Sequence, residues 1–277
     1  MRKFRLKQKK LYKIMKAIII VSVVFIVLYI GAQPYVAKAS NIAAIICNYA
    51  CDLLIITNLC LIFSYYNKYG KSDSFLETIE YELDDHGFYF TARQENNTAD
   101  FIKAMQTDCI KSGFAVDSNV EADGFDFAFT AFKKKEFIYT ADIESLSRND
   151  VVAYIDAVVN DITVQRLKRN GNCVICFVTD KAQEDAIAIS KMITPIGKKE
   201  QLKIALALVE PTENKCFFLG NKPTKCQQMI ANYVLRCDIP IDEKYKGERR
   251  LEFQDKLEKH MESFDIKKYK SGTFYAH

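Results

Sequence analysis

A group of acidic side chains is concentrated in and around two adjacent segments of the chain. These acids are Asp117, Glu121, Asp123, Asp126, Asp142 and Glu144. Carboxylate oxygens are ligands that Mg²⁺ and Ca²⁺ prefer, so such a group could hold a divalent ion. The acids also fit the solvated end of a strand and its loop, and we favour that simpler interpretation. We predict no metal site and no bound cofactor.

Cys173 and Cys176 form a CxxC motif, which in other settings binds zinc or performs redox chemistry. Here the motif lies within a run of β-branched and apolar residues that predicts a buried strand. Side chains three residues apart in a strand point to opposite faces. The two sulfur atoms therefore cannot share a metal, and we predict two core cysteines.

Sequence signatures of several other enzyme classes are missing. The chain has no phosphate-binding glycine loop, no dinucleotide-binding GxGxxG and no nucleophile elbow, and nothing characteristic of a catalytic triad surrounds His86, His260 or His277. The formal net charge is +4, but eight cations fall within residues 1–16, so the remainder is slightly acidic. The charge therefore does not support binding of nucleic acid, although it does not exclude it.

A predicted β-hairpin and the helix after it would position the acids. Phe125–Phe132 and Glu136–Ile143 alternate in polarity on either side of a lysine-rich turn. Ser147 and Asp150 form a capping box for the next helix. Its apolar stripe consists of Val151, Ile155, Val158 and Ile162. A buried strand, Cys173–Thr179, follows.

The flanking segments complete a single α/β domain with a mixed sheet flanked by helices. Ser74 and Glu77 predict a capping box that opens a short helix, which ends before Gly87. Thr98 is expected to cap a helix to Ser112, and another helix is expected over Asp180–Ile193. The region from Glu243 onward predicts a charged surface helix and a tail.

Residues 113–193 resemble the core of Mrr-type restriction-endonuclease-like domains, of the PD-(D/E)xK class. The resemblance is carried by the strand beginning Gly124-Phe-Asp126, the lysine-rich turn, the strand Phe137–Asp142 and the helix, strand and helix that follow. Members of this family with two N-terminal membrane helices are known. The resemblance implies a restriction-endonuclease-like core.

The resemblance also implies catalytic positions. Asp126 corresponds to the metal-binding aspartate, and the next strand should carry an acid or amide that helps to hold Mg²⁺ and a lysine that helps to activate water. Thr140 and Asp142 stand at those two positions instead. We therefore predict that catalysis is lost. The alternative is an active Mg²⁺-dependent nuclease whose lysine comes from elsewhere; the candidates are Lys133, Lys134, Lys135 and Lys181.

Two apolar runs near the N-terminus predict a transmembrane hairpin. Ala17–Ala32 contains no charge, and a second apolar run extends from Ile42 to Tyr65. A cleaved signal peptide is the alternative for the first run, but the second run favours two retained helices. Cations are far more frequent before the first helix than in the loop, so both termini should be cytoplasmic, at a bacterial cell membrane.

Asp52 lies near the middle of the second apolar run, where a carboxyl group is costly. Asn48, one turn earlier, could form a hydrogen bond with it. The favoured interpretation is that the carboxyl group is protonated and joins helices, within the hairpin or between copies. The alternative is a proton or ion path, which would require an oligomer.

The predicted organisation divides the chain into five segments. They are a basic N-terminus (1–13), two transmembrane helices (14–36 and 41–65), a cytosolic α/β domain (70–240) and a charged helix and tail (241–277). We expect a membrane-anchored, endonuclease-like domain that is non-catalytic and acts in binding or assembly, with the lipid bilayer, other copies of the chain and an unidentified protein as its partners. A further alternative is a membrane effector or transporter subunit whose cytosolic domain senses a ligand.

Overall fold

The computed structural model describes residues 2–263 except 86, 169, 193, 197–201, 223 and 250. The helices are α1 (Arg2–Ala39), α2 (Asn41–Asp84), α3 (Thr98–Lys111), α4 (Arg148–Asn160), α5 (Glu184–Ser190), α6 (Lys225–Met229) and α7 (Glu252–Ser263). The strands are β1 (Phe88–Phe90), β2 (Ala115–Ala122), β3 (Phe125–Lys133), β4 (Glu136–Asp142), β5 (Ser145–Leu146), β6 (Gly171–Val178), β7 (Lys181–Ala182), β8 (Thr194–Ile196), β9 (Leu202–Glu210), β10 (Lys215–Phe217) and β11 (Lys246–Gly247). Single π-helical turns extend α4 and α6.

The chain divides into two compact units. The helical unit comprises residues 2–79 and 258–263, and the sheet unit comprises the described residues of Glu80–Leu257. In the helical unit, α1 and α2 are long and apolar enough to cross a membrane, over Phe4–Ala39 and Asn41–Gly70. About 30 Å of hydrocarbon requires roughly 20 helical residues, which both helices exceed.

The helix predicted to begin after Ser74 is not separate, because α2 is continuous to Asp84. Nucleating a helix is costly, whereas extending one adds a hydrogen bond for each residue fixed. A capping sequence therefore does not interrupt a helix that is already formed and has no proline or glycine break at that point. The prediction of a new N-terminus there was wrong.

The sheet unit is built on a nine-stranded mixed sheet. Its strand order is β11-β1-β10-β9-β6-β4-β3-β2, and β8 pairs with β9 beside β10. The central strands β4, β6 and β9 are parallel, β2 and β3 add an antiparallel meander on one side, and β10, β1 and β11 add antiparallel strands on the other. The sheet is therefore mixed, as predicted.

Helices cover both faces of this sheet, which gives two cores. One core contains the inner residues of α3 and α6, and the other contains those of α4 and α5. The predicted stripe Val151, Ile155, Val158 and Ile162 is buried in the second core, which confirms that prediction. Continuous apolar runs such as Gly171–Val178 are typical of a parallel strand covered on both faces.

Helix ends follow the local sequence with two differences. The capping box of α4 is present as predicted, since Ser147 and Asp150 bond each other's backbone. The N-cap of α3 is Asn97, whose side chain accepts from the backbone N–H of Asp100, so Thr98 is the first helical residue and not the cap. The helix predicted over Asp180–Ile193 is shorter, because residues 181–182 form β7, which pairs with β5.

Candidate functional site

Asp126, which the resemblance places at the metal-binding position, lies with Thr140 and Asp142 at one end of the β3–β4 hairpin. Asp126 is the second residue of β3, and Asp142 is the last residue of β4. Both side chains are exposed. In the pairing of β3 with β4, Lys133 lies opposite Glu136 at the turn, and the last pair is Phe129 opposite Thr140. The carbonyl oxygen of Asp126 accepts a hydrogen bond of 3.3 Å from the hydroxyl of Tyr154 on α4.

Thr140 stands where the resemblance implies an acid or amide that helps to hold Mg²⁺. Its side chain is fully buried, and its Oγ1 has no hydrogen-bond partner. It pairs with Phe129, whose ring belongs to the core that α3 covers. A buried hydroxyl group under an aromatic core cannot reach a hydrated ion at the surface, so Thr140 cannot take that role in this conformation.

Asp142 stands where the resemblance implies lysine. Desolvation of its carboxyl group and the nearby charge of Asp180 both raise the pKa of Asp142. Asp180 follows the end of β6, which runs parallel to β4 and pairs Val178 with Asp142. The carboxyl ends of these parallel strands therefore carry negative charge at the position where the resemblance implies a lysine.

The structure separates the candidate replacement lysines into two groups. Lys133, Lys134 and Lys135 lie at the hairpin turn, seven or more residues from Asp126, which is about 23 Å along an extended strand. The ammonium group of Lys133 also donates to the carbonyl oxygen of Ser112 at 2.6 Å. Lys181 lies in β7, which pairs with β5 after the end of β4, and its side chain is exposed. Of the four lysines, Lys181 is the one that does not lie at the hairpin turn.

The other acids of the predicted group are exposed at β2, at the turn after it and beyond β4. They are Asp117, Glu121, Asp123 and Glu144. Among the described residues, no group of three or more His, Cys, Asp or Glu side chains is arranged to hold a metal ion. Cys173 and Cys176 lie in different cores, on opposite faces of β6, as predicted.

A buried ion pair that the sequence did not indicate lies elsewhere in the sheet unit. The ammonium group of Lys191, just after α5, lies 2.8 Å from Oδ1 of Asp85, just after α2. Their side chains are 0% and 1% exposed. The hydroxyl of Tyr89 donates to the same carboxylate, whose Oδ2 also accepts from the backbone N–H of Gly220 at 2.6 Å and of Asn221 at 3.2 Å.

Burial governs the ionisation of this cluster. It lowers the pKa of Lys191, and the charge and hydrogen bond of Asp85 oppose that shift. Burial also raises the pKa of Tyr89, and the adjacent carboxylate adds to the shift. The Lys191 ammonium group lies 5.0 Å from the centre of the Tyr89 ring. Every oxygen of Asp85 has donors, so the arrangement is suited to fixing structure and leaves no room for a substrate.

A second polar cluster lies between α3 and the π-helical turn after α6. Asp108 accepts from Arg93 at 2.8 Å and from Arg236 at 2.8 and 3.1 Å. Burial lowers the pKa of Arg93, and the charge of Arg236 lowers it further. An open groove of about 360 Å³ adjoins it. Its lining residues are Asp108, Lys111, Ser112, Asn232, Tyr233 and Arg236.

In the helical unit, the predicted partner of Asp52 has a different contact. Oδ1 of Asn48 accepts a hydrogen bond of 2.9 Å from the hydroxyl of Tyr29 on α1, which also lies 3.0 Å from the carbonyl oxygen of Ala44. Asp52 is exposed on α2, and the described residues provide it with no hydrogen-bond or ion-pair partner. Within one copy, Tyr29 therefore joins the two helices through Asn48, and Arg5 and Gln8 of α1 join them through Asp73 of α2.

No family model matches the chain, and no curated protein or solved structure matches it. The interpretation of the site consequently depends on its geometry. Sequence reasoning missed Asp85, Lys191 and Arg93, because the partners in each pair lie far apart in the chain or in segments without a motif. A local signal was the pair of acids Asp84 and Asp85 at the end of α2.

Proposed function

We propose that the chain is a two-pass membrane protein whose sheet unit is an endonuclease-like module without nuclease activity, acting in binding or assembly at the inner face of a bacterial membrane. The observation that carries the proposal is the state of two positions on β4. Thr140 is buried without a partner, and Asp142 brings a negative charge beside Asp180.

The surface of α1 and α2 supports the membrane location. Large apolar side chains on both helices are exposed, including Val21 at 68%, Leu28 at 68% and Ile46 at 63%. Soluble proteins rarely leave such a continuous apolar surface in water, whereas hydrocarbon accommodates it. The basic residues before Ala17 favour a cytoplasmic N-terminus, and two crossings return the sheet unit to the same side.

The element order of the sheet unit supports the endonuclease-like interpretation. Helix α3 precedes the antiparallel meander β2, β3 and β4, and α4 then connects β4 to the parallel strand β6. The strand, turn, strand, helix, strand and helix that carry the resemblance all occur in that order. The order is a property of the fold alone and says nothing about substrate.

Electrostatics support the loss of cleavage. Phosphodiester hydrolysis needs positive charge where negative charge develops on the phosphate. Asp142 and Asp180 place negative charge at this edge, and the lysines of the β3–β4 turn lie at the opposite end of the hairpin. A binding role needs neither a metal nor a catalytic lysine, so it is compatible with these substitutions.

The direct test is a nuclease assay on the full-length protein in a mild detergent. Plasmid and single-stranded DNA are incubated with Mg²⁺ or Mn²⁺, and we expect no cleavage above that of the Asp126→Ala variant. Asp156→Ala, at an exposed position on α4, is the matched control. Cleavage that both Asp126→Ala and Lys181→Ala abolish, and that Asp156→Ala retains, would establish an active nuclease with a displaced lysine.

A further inference from the structure

The outer face of α2 carries a second repeating stripe besides the one that contacts α1. Buried and half-buried positions form the inner seam: Ala44, Cys47, Cys51, Leu54, Asn58, Leu61 and Tyr65. A parallel set of exposed positions forms what we call the outer stripe: Ile45, Tyr49, Asp52, Ile56, Leu59 and Phe63. Both sets repeat at alternating intervals of three and four residues, the spacing of a helix-packing face.

The outer stripe is apolar except near its centre. Tyr49, Ile56, Leu59 and Phe63 are each between 58% and 72% exposed. Asp52 is the one carboxylic acid of the stripe, and it is exposed among them. This pattern, a continuous apolar seam with one central polar side chain, is how packed helices fix their register and partner number.

The register of the hairpin places Asp52 at the depth of the bilayer centre. Tyr12 on α1 stacks with Tyr65 on α2 at 5.6 Å between ring centroids, and Tyr29 bonds Asn48. The same antiparallel register places Asp52 level with Phe25, near the middle of the uncharged run of α1. An unpaired carboxyl group at that depth is costly to keep in hydrocarbon.

We propose that the outer stripe of α2 is the contact surface for a second copy of this chain, and that Asp52 forms hydrogen bonds across that interface. This inference rests on the proposed membrane insertion. Copies inserted in one orientation present parallel α2 helices at the same depth, so each Asp52 faces its counterpart. A neutral carboxyl group both donates and accepts, so the two side chains complement each other.

Asn48, which lies beside the outer stripe, adds a second polar group to the proposed interface. Its Oδ1 is occupied by the Tyr29 hydroxyl within the hairpin, which fixes the side chain and leaves the amide N–H groups to donate. Asn48 is one turn from Asp52 and exposed on the adjoining side of α2. A second copy therefore brings the amide N–H donors of its Asn48 and the carboxyl oxygens of its Asp52 close to the depth of the Asp52 carboxyl group in the first copy.

The test measures association of the full-length protein in liposomes. Donor- and acceptor-labelled copies are mixed at a series of protein-to-lipid ratios, and energy transfer gives the association constant in the bilayer. We expect Asp52→Leu to weaken association by roughly fivefold or more, as one or two lost interhelical hydrogen bonds imply, and Asp52→Asn to retain most of it.

Thr57→Leu is the matched control. It removes a polar group from the exposed surface of the same helix, about 140° around from Asp52, and should leave association unchanged. Monomeric wild type at every ratio, or equal association of wild type and Asp52→Leu, would overturn the inference, as would equal weakening by Thr57→Leu. Alkaline extraction of the same liposomes separates the two proposals, because an extracted chain contradicts membrane insertion, whereas an inserted monomer contradicts only the interface.

Discussion

Lys191 and Asp85, which are 106 residues apart in the chain, form an ion pair of 2.8 Å with neither side chain in contact with solvent. Asp85 follows the last residue of α2, and the same carboxylate accepts from the backbone N–H groups of Gly220 and Asn221. The amide group of Gln254 donates to the carbonyl oxygens of Glu82 and Asp85, which satisfies acceptors at the end of α2. This cluster fixes the C-terminal end of α2 to the sheet.

Replacing Asp85 should destabilise the sheet unit more than replacing Lys191. Asp85→Ala leaves a buried ammonium group and two backbone N–H groups without their acceptor, and breaking a buried pair costs about 3 to 5 kcal/mol. Lys191→Met removes one donor but leaves Asp85 with Tyr89, Gly220 and Asn221. Urea unfolding of the full-length protein in a mild detergent, followed by circular dichroism, measures both losses.

The Asp85→Ala/Lys191→Met double variant separates the pair from its surroundings. With no charge left to bury, it should be more stable than Asp85→Ala alone, because an unpaired buried ammonium group is costlier than a methionine. If the double variant loses the sum of the two single losses, the two side chains do not interact energetically and our account of the cluster is incorrect.

Gly220→Ala should disturb the same cluster through packing. A Cβ atom at Gly220 would lie 2.4 Å from Cζ of Tyr89, so the ring or the loop must move, and the N–H bond to Asp85 moves with it. We expect a loss of about 1 to 3 kcal/mol in the free energy of unfolding. Gly31→Ala on α1 is the control, since nothing lies within 4 Å of its Cβ position. Unchanged stability of Gly220→Ala would show that the loop is free to adapt.

The part of the fold predictable from sequence is the part that local patterns determine. The hairpin β3–β4, the capping box at Ser147 and the opposite faces of Cys173 and Cys176 follow from periodicity and backbone geometry, and all three are present. The separate helix after Ser74 was wrong because its signal was equally local, whereas helix continuity depends on the preceding turns.

The candidate site could be predicted from the sequence only in part, for the same reason. Alternation along β4 placed Thr140 and Asp142 on one face, but only the assembled sheet shows that Thr140 is buried and that Asp180 lies beside Asp142. The Asp85–Lys191 pair depends on contacts over 106 residues, and no spacing rule encodes them. The strand β11 was missed because two residues carry no period.

Ser147→Ala should remove a cap from α4 and lower stability by about 1 kcal/mol. The backbone N–H and the hydroxyl of Ser147 both bond Asp150, and these bonds lower the pKa of that carboxyl group below 3.8. A carboxyl group whose pKa is lowered by folding stabilises the folded state at pH values above its pKa in the unfolded chain. That stabilisation is lost as the pH falls through its pKa in the folded chain. The difference in the free energy of unfolding between wild type and Ser147→Ala should therefore decrease below about pH 4. Ser145→Ala, in the exposed part of β5, is the control, and an equal loss in both variants would contradict a capping role.

Cys109 should make the protein sensitive to alkali. Burial raises the pKa of its thiol from 9.0 to about 12, with Arg93 opposing and Asp108 adding to the shift. The unfolded chain loses this proton above pH 9 while the folded chain keeps it, so stability falls as the pH rises from 9 toward 12, by up to about 1.4 kcal/mol per pH unit.

The Cys109→Ala variant isolates that contribution from the other groups that titrate in alkali. Up to about pH 9, its free energy of unfolding should lie below that of wild type by a constant amount, because truncation leaves a small cavity. At higher pH this difference should decrease, because only wild type loses stability through the Cys109 thiol. Urea unfolding at intervals from about pH 8 to about pH 10.5 measures the gap, with Cys60→Ala as the control for an exposed thiol. Parallel curves for wild type and Cys109→Ala over the whole range would show that the folded chain does not retain this proton.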